Sequence, residues 1–189
     1  PWARPSSPPA ARETRRCQGA HAVNLTEKDR DFMSRVPIFA GLSSESLDRL
    51  AALARRVDFP TQSLVYQEGE PAREMFIVLA GKLDVSKQSS KGAPVSIATL
   101  SPGDVGGEMA LIDIQPRSAA IRASEATTLA VLTYADVAKL YKSHAESYTM
   151  LVLNIAREIS RRLRRVDRLI ADMMMEMRDI LVGPGQTEG

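Results

Sequence analysis

The sequence predicts an α+β fold, in which an antiparallel, jelly-roll-like β-roll of about eight strands lies between N-terminal helices and one long C-terminal helix. Two observations support this class. Between residues 60 and 133, short β-type runs alternate with turn-forming residues, a spacing typical of an antiparallel sandwich or roll. On both sides of this region, apolar residues recur with the period of an α-helix.

Two helices are predicted ahead of the strands. Thr26 followed by Asp29 is a helix-start signal, and it predicts a short helix that ends before Pro37. Residues 44–57 predict a second helix. Its apolar residues fall on one face and are Leu47, Leu50, Leu53 and Ala54.

The predicted strands correspond to six short β-type runs, at residues 63–67, 74–80, 82–87, 94–100, 119–123 and 127–133. The segments between several of them are rich in Gly, Pro, Ser and Asp, which favour turns. After the last run, residues 134–143 predict a short helix. A long helix is predicted from about Ser147 to Val182.

The two ends of the chain differ from this central part. Residues 1–23 are rich in Pro, Ala and Arg without an apolar period, so a disordered extension is predicted there. The expected domain organisation is therefore this extension, a β-roll with its flanking helices over residues 24–145, a long helix over 146–182 and a tail over 183–189.

Composition excludes several classes of protein. Hydrophobic residues make up 44% and charged residues 25% of the 189 residues, which is the profile of a soluble globular protein. No apolar run approaches the roughly 18 residues of a membrane helix, so no membrane association is expected. The single cysteine, Cys17, excludes an internal disulfide framework and favours the reducing cytoplasm.

Metal-dependent and nucleotide-hydrolysing enzymes are not expected either. His21 and His144 are the only histidines, too few for the metal site of a cupin-type enzyme, so we expect no metal. The phosphate-binding pattern G-x-x-x-x-G-K-[ST] of NTPases does not occur. Residues 157–168 contain six arginines against Glu158 and Asp167. We interpret this cluster as a solvated helix face rather than a nucleic-acid-binding patch.

The long helix carries a seven-residue apolar repeat. Its members are Val152, Ile159, Val166, Met173 and Ile180, and the first four are each followed four residues later by Ala156, Leu163, Ile170 or Met177. A stripe of this length exceeds what a small β-roll needs to cover itself. We expect the first two turns to pack on the chain's own domain. Beyond Val166 we expect a partner helix, which would make the protein a parallel homodimer.

Residues 106–123, GGEMALIDIQPRSAAIRA, combine residue types suited to a sugar phosphate. Gly106 and Gly107 let the backbone turn sharply and approach a ligand. A short helical turn after them would present free amides to an anion. Arg117 offers a planar fork for two phosphate oxygens, whereas ionised Glu108 only accepts hydrogen bonds and suits a sugar hydroxyl. The interleaved apolar residues, which include Met109 and Ile112, are expected to anchor the segment to the core.

This segment resembles the phosphate-binding cassette of cyclic nucleotide-binding domains, such as those of catabolite activator-type regulators and protein kinase A regulatory subunits. The family pattern of Gly-Glu, a small-apolar pair and a Pro-Arg-small-Ala run is met here by residues 107–108, 110–111 and 116–119. The resemblance extends upstream, because residues 66–85 contain the family's Gly69-Glu70 turn and its Gly81 between paired strands. It covers about residues 36–170.

The resemblance implies a set of site residues. Glu108, preceded by Gly107, would bind the ribose 2′-hydroxyl and Arg117 the cyclic phosphate. The Ser118 hydroxyl and the amides of Met109, Ala110 and Ala119 would assist. The alternative for the charged residues is a structural ion pair between Glu108 and Arg117.

The resemblance also implies a ligand. Ala120 lacks the threonine hydroxyl that favours cyclic GMP in the family, so cyclic AMP is expected in preference to cyclic GMP. Gly106 replaces a residue that is commonly aromatic or large in the family, and this predicts a looser wall near the ligand.

The expected function is that of a sensor rather than an enzyme. Catabolite activator-type regulators carry a helix-turn-helix domain after the long helix, but only seven residues follow Val182 here. We therefore expect no DNA binding from this chain alone. It is either a stand-alone sensor or the sensory fragment of a longer transcription regulator.

Overall fold

The computed structural model describes residues 22–89, 92–113 and 115–182. In chain order the strands are β1 (Ala22–Asn24), β2 (Arg55–Phe59), β3 (Leu64–Tyr66), β4 (Glu74–Ala80), β5 (Leu83–Gln88), β6 (Pro94–Leu100), β7 (Val105–Gly106), β8 (Ala120–Ala123) and β9 (Thr127–Thr133). The α-helices are α1 (Glu27–Ser34), α2 (Ser44–Leu53), α3 (Met109–Ile112), α4 (Tyr134–Ser143) and α5 (Ala145–Val182), with a 3₁₀ turn at Pro37–Phe39.

The strands form two antiparallel sheets, which confirms the predicted fold class. The first sheet has the order β1-β2-β9-β4-β7 and the second the order β3-β8-β5-β6. One core lies between the sheets and includes Phe76 and Leu129 of the first sheet and Leu83 of the second. The opposite face of the first sheet contributes alternate residues such as Ile77 to a second core, which the helices cover. Strands β4 and β9 therefore contain continuous apolar runs, at residues 75–80 and 129–132, because both of their faces are buried.

The described part of the chain contains nine strands, and the sequence does not predict three of them, which are β1, β2 and the two-residue β7. The sequence predicts a disordered extension that includes residues 22 and 23, but these residues lie in β1, which pairs with β2 with Val23 opposite Arg56. The sequence predicts that the second helix includes residues 55–57, but this helix ends at Leu53 and the backbone of Ala54 is extended. Beyond it, burial alternates in β2, and the strand fits between β1 and β9. In β1 and β2, pairing with strands distant in the sequence therefore determines the secondary structure. Residues 1–21 of the predicted extension and the predicted tail lie outside the described residues.

The other predicted helices agree closely with the structure. Thr26 caps α1 in a capping box, since its hydroxyl accepts the Asp29 N–H while the Asp29 carboxylate accepts the Thr26 N–H at 2.9 Å. Helix α4 spans residues 134–143, as predicted. No helix in the described ranges has both the length and the apolar character needed to cross a membrane.

Helix α5 has two different apolar faces. In its first part Leu151 and Ile155 are fully buried, and the Asn154 side-chain amide donates to the carbonyl oxygens of Ile38 and Ala40. Ile159 of the predicted stripe packs against this core, as expected, but Ala156 is exposed. The buried face of Leu151 and Ile155 is therefore one residue out of phase with the first turns of the stripe. Farther along, the repeat is exposed at Leu163, Val166, Ile170, Met173, Met177 and Ile180.

Candidate functional site

The candidate site is built on the segment that connects β7 to β8. Strand β7 pairs with β4, with Gly106 opposite Phe76. Gly107 then turns the chain with φ of +75°, and a Cβ atom there would lie 2.2 Å from Arg117 Nη1 and 2.7 Å from the Glu74 carbonyl oxygen. Only glycine fits this combination of backbone conformation and close approach. Glu108 follows at the N-terminus of α3, as the predicted helical turn required.

Arg117 is buried, with its cationic group incompletely partnered. The residue is 7% exposed, and within the described part of the chain its Nε and Nη1 atoms have no hydrogen-bond partner. Its backbone is fixed to the β3–β4 turn, because the Arg117 N–H donates to the Glu70 carbonyl at 2.9 Å and the Gly69 N–H donates to the Arg117 carbonyl at 2.8 Å. Buried polar groups normally have partners, so unpaired guanidinium donors indicate a place for an anion.

Glu108 is the other buried charged residue of the segment, and its partner is Arg162 of α5. Glu108 is 1% exposed, and its Oε1 accepts a hydrogen bond from Arg162 Nη1 at 2.9 Å. Arg162 Nη2 also donates to the Val105 carbonyl at 2.6 Å. Burial raises the pKa of Glu108, while Arg162 opposes that shift. The ion pair of Glu108 is therefore with the C-terminal helix, and the alternative of a Glu108–Arg117 pair is wrong.

The remaining predicted residues have different environments. Ala119 is buried immediately before β8, whereas the side chains of Ser118 and Met109 are exposed. Ala110 lies in α3. Met109 and Ile112 were expected to anchor the segment to the core, but both are about half exposed. Helix α3 is a single turn, so only part of its surface can face the domain.

Gly106 does not loosen the wall of the site, contrary to expectation. The residue is buried, and a Cβ atom on it would lie 2.2 Å from Cζ of Phe76. The Phe76 ring thus fills the space that a larger residue at position 106 would occupy. Sequence reasoning missed this compensation because Phe76 lies thirty residues earlier, on β4.

Three other functional candidates were not predicted. Tyr66 lies beneath Arg117, with the guanidinium carbon 3.9 Å from the centre of its ring. Tyr134 donates its hydroxyl to the Gly107 carbonyl at 2.7 Å, and burial raises the pKa of this tyrosine to about 12, so it remains a donor at neutral pH. Arg162 was placed in a solvated cluster of arginines, and no local signal distinguishes it from its neighbours. Among the residues that the structure describes, no cluster of His, Cys, Asp and Glu side chains is arranged to hold a metal ion.

Comparison with known families places this segment inside a recognised domain. Residues 56–144 match the family model described as the cyclic nucleotide-binding domain. A solved cyclic nucleotide-binding domain from Methylobacillus flagellatus KT has the same fold, with a TM-score of 0.72 and 23% identity over 81% of this chain and 89% of that one.

Two bacterial regulators are similar in sequence. The CRP-like cAMP-activated global transcriptional regulator of Mycobacterium tuberculosis is 26% identical over 76% of this chain. The cyclic AMP receptor protein of Thermus thermophilus is 30% identical over 71% of this chain. The matched part spans 62% of the first regulator and 61% of the second.

Proposed function

Residues 56–144 belong to the cyclic nucleotide-binding domain family, and on this premise we propose that the protein is a regulatory module that binds a purine 3′,5′-cyclic nucleotide. The observation that carries the proposal is the buried guanidinium of Arg117, whose Nε and Nη1 atoms lack partners in the described chain. A cyclic phosphate has one negative charge and two exocyclic oxygens, which a planar guanidinium can bind in a bidentate manner. The module binds and signals without catalysing a reaction.

In the proposed complex Glu108 accepts a hydrogen bond from the ribose 2′-hydroxyl. Its Oε1 is engaged by Arg162, but a carboxylate has four lone-pair positions, so the hydroxyl and the guanidinium can share it. Gly107 allows the backbone to approach the ligand, and the amides of Met109, Ala110 and Ala119 point to the phosphate. The exposed Ser118 hydroxyl adds a further donor at the rim of the site.

We propose cyclic AMP as the preferred ligand, with cyclic GMP bound less tightly. Two similarities support this choice. The Mycobacterium tuberculosis relative is named as cAMP-activated, and the Thermus thermophilus relative is named as a cyclic AMP receptor. Ala120, at the start of β8, also offers no hydroxyl to a guanine base.

The signal would pass through α5. Arg162 links this helix to the same carboxylate that the ribose would use, so occupancy of the site and the position of α5 depend on each other. Nucleotide would shift the population toward the arrangement in which Glu108, Arg162 and the ligand are bound together. Reciprocity requires that an event which moves α5 changes nucleotide affinity by the same factor.

A parallel homodimer through the distal half of α5 is part of the same proposal. The exposed residues of the apolar repeat alternate at spacings of three and four, which is the pattern of a coiled-coil seam. A monomer would leave this apolar stripe in water.

A second candidate is that the chain is the sensory part of a longer catabolite activator-like transcription regulator. It is favoured by the similarity to two regulators of which this chain spans about three fifths. Translation of the genomic reading frame beyond Gly189 tests it. A helix-turn-helix segment in the continued frame would support the transcription regulator, whereas a stop codon would support a stand-alone sensor.

Titration calorimetry tests the nucleotide site. We expect the wild type to bind cyclic AMP and Arg117→Ala to lose about tenfold to a hundredfold in affinity, because each hydrogen bond to a charged group contributes about 1.5–3 kcal/mol. Arg122→Ala is the matched control, since Arg122 is an exposed arginine on the same strand region that donates to the Gln62 carbonyl. Equal binding by wild type and Arg117→Ala would refute the site. Stronger displacement of labelled cyclic AMP by cyclic GMP than by cyclic AMP would refute the selectivity.

A further inference from the structure

A column of aromatic rings supports the guanidinium of Arg117. The guanidinium carbon lies 3.9 Å above the centre of the Tyr66 ring. Tyr66 in turn stacks on Phe76, with ring centres 5.5 Å apart and an angle of 21° between the planes. Phe76 is fully buried and rests against the backbone of Gly106. The column therefore runs from Gly106, at the start of the candidate cassette, back to Arg117 near its end.

The orientation of the Tyr66 ring is fixed at its other end. The Tyr66 hydroxyl donates to Glu74 Oε1 at 3.0 Å, and the second oxygen of Glu74 accepts a hydrogen bond from Arg55 Nη2 at 2.9 Å. Burial and the neighbouring Glu74 carboxylate raise the pKa of Tyr66, so its hydroxyl remains protonated and donates. The Glu74 carboxylate therefore accepts hydrogen bonds from the Tyr66 hydroxyl and from Arg55, and this holds the ring in place.

The contact between Tyr66 and Arg117 uses the face of the guanidinium and leaves its edge available. A cation–π contact attracts the positive charge without taking any N–H donor, whereas a carboxylate in the same place would occupy the fork. This difference agrees with the finding that Nε and Nη1 of Arg117 have no hydrogen-bond partner among the residues that the structure describes. Tyr66 can hold the plane of the fork and still leave both donors free for an anion.

We propose that Tyr66 is a positioning residue for anion recognition, which holds the guanidinium of Arg117 in the plane where its N–H edge meets the nucleotide phosphate. The inference rests on the proposed nucleotide function and adds to it a residue outside the cassette. It follows that the aromatic ring of Tyr66 is required for full affinity, while its hydroxyl contributes only the link to Glu74. Phe76 supports the ring from below.

The experiment compares Tyr66→Phe, Tyr66→Leu and Tyr66→Met. Cyclic AMP affinity measured by calorimetry should change little in the phenylalanine variant and fall by about threefold to thirtyfold in the two aliphatic variants, because the cation–π contact is lost. Tyr148→Leu is the control, since Tyr148 packs against the helical core and Tyr141 instead of Arg117. Thermal unfolding shows which variants are folded. A single folded aliphatic variant is enough for the comparison with Tyr66→Phe.

A second readout does not depend on nucleotide. In arginine-selective ¹H–¹⁵N spectra, the Arg117 side-chain protons over the ring should be shifted upfield in the wild type and in Tyr66→Phe. The shift should disappear in the aliphatic variants. Tyr66→Phe should keep both the upfield shift and the wild-type affinity, while the aliphatic variants lose both. A general loss of packing would not produce this difference between aromatic and aliphatic variants.

The outcomes separate the two proposals. If the wild type binds no cyclic nucleotide, the proposed function and this inference both fail. If the wild type binds but the folded aliphatic variants bind as tightly as Tyr66→Phe, only the positioning role is overturned. Absence of the upfield shift in the wild type also overturns the positioning role and leaves the nucleotide site standing.

Discussion

Arg162 on α5 donates a 2.9 Å hydrogen bond to the carboxylate of Glu108, although 54 residues separate them along the chain. A third group completes the arrangement, because Arg162 also donates to the Val105 carbonyl. The C-terminal helix is thereby fixed to the strand and to the turn that flank the candidate cassette. One carboxylate serves both the helix and, in our proposal, the ribose of the ligand, so the site and the helix are physically coupled.

Replacement of Arg162 by Gln should weaken cyclic AMP binding by about twofold to thirtyfold, the range expected for a residue that couples two sites. The reason is that Glu108 would remain buried without its cationic partner. Calorimetry at pH 8 measures the effect. Arg161→Gln is the matched control, because Arg161 is exposed and, among the described residues, forms its ion pair with Glu158 on the same helix. Equal affinities of the two variants would contradict the coupling.

Cyclic AMP affinity should fall on acidification at a pH above 4.5, the ordinary pKa of a glutamate. Burial raises the pKa of Glu108 more than Arg162 lowers it, and the ribose hydroxyl needs the ionised carboxylate. Affinity is therefore full above the raised pKa and declines as pH falls through it, by up to about tenfold per pH unit. Titrations between about pH 5 and 8 check this. Glu108→Gln should bind more weakly with little pH dependence, and an equally steep profile in that variant would exclude Glu108 as the titrating group.

Substitution of Gly107 by Ala should cost both stability and affinity, whereas Gly103→Ala should cost stability alone. Both glycines have positive φ, so an added Cβ is expected to destabilise each position by about 1–2 kcal/mol. At Gly103 the Cβ would have no atom within 4 Å, but at Gly107 it would collide with Arg117 Nη1. Denaturant unfolding and calorimetry separate the two effects. Unchanged nucleotide affinity in folded Gly107→Ala would show that Arg117 tolerates displacement.

Replacement of both Val166 and Met173 by aspartate in one variant should convert the proposed dimer into a monomer while the β-roll remains folded. Both side chains are about half exposed or more in the single chain, and a parallel seam would bring like charges together. Ala171→Asp introduces the same charge on an exposed position beside the seam and should leave the dimer intact. Light scattering gives the mass of each variant. Wild-type protein that is monomeric at micromolar concentration, with and without cyclic AMP, would end the dimer proposal.

Local signals in the sequence determined much of the architecture. The capping box of Thr26 and Asp29 and the period of residues 134–143 depend on neighbours within a few positions, and both helices begin where predicted. The order of Gly107, Glu108 and Arg117 identified the candidate cassette for the same reason, since its glycine turn, acid and arginine lie within eleven residues. These features need no knowledge of what packs against them.

The tertiary structure alone decided the features that depend on distant partners. The sequence of β2 continues the apolar period of the preceding helix, and only its pairing with β1 on one edge and β9 on the other makes it a strand. Helix α5 presents Leu151 and Ile155 to the domain, one residue out of phase with the repeat, because α4 and the 3₁₀ turn pack against that face. The ring beneath Arg117 and the arginine bound to Glu108 come from segments about fifty residues away. A contact of this kind leaves no periodicity or spacing in the sequence, since it exists only after folding brings the two segments together.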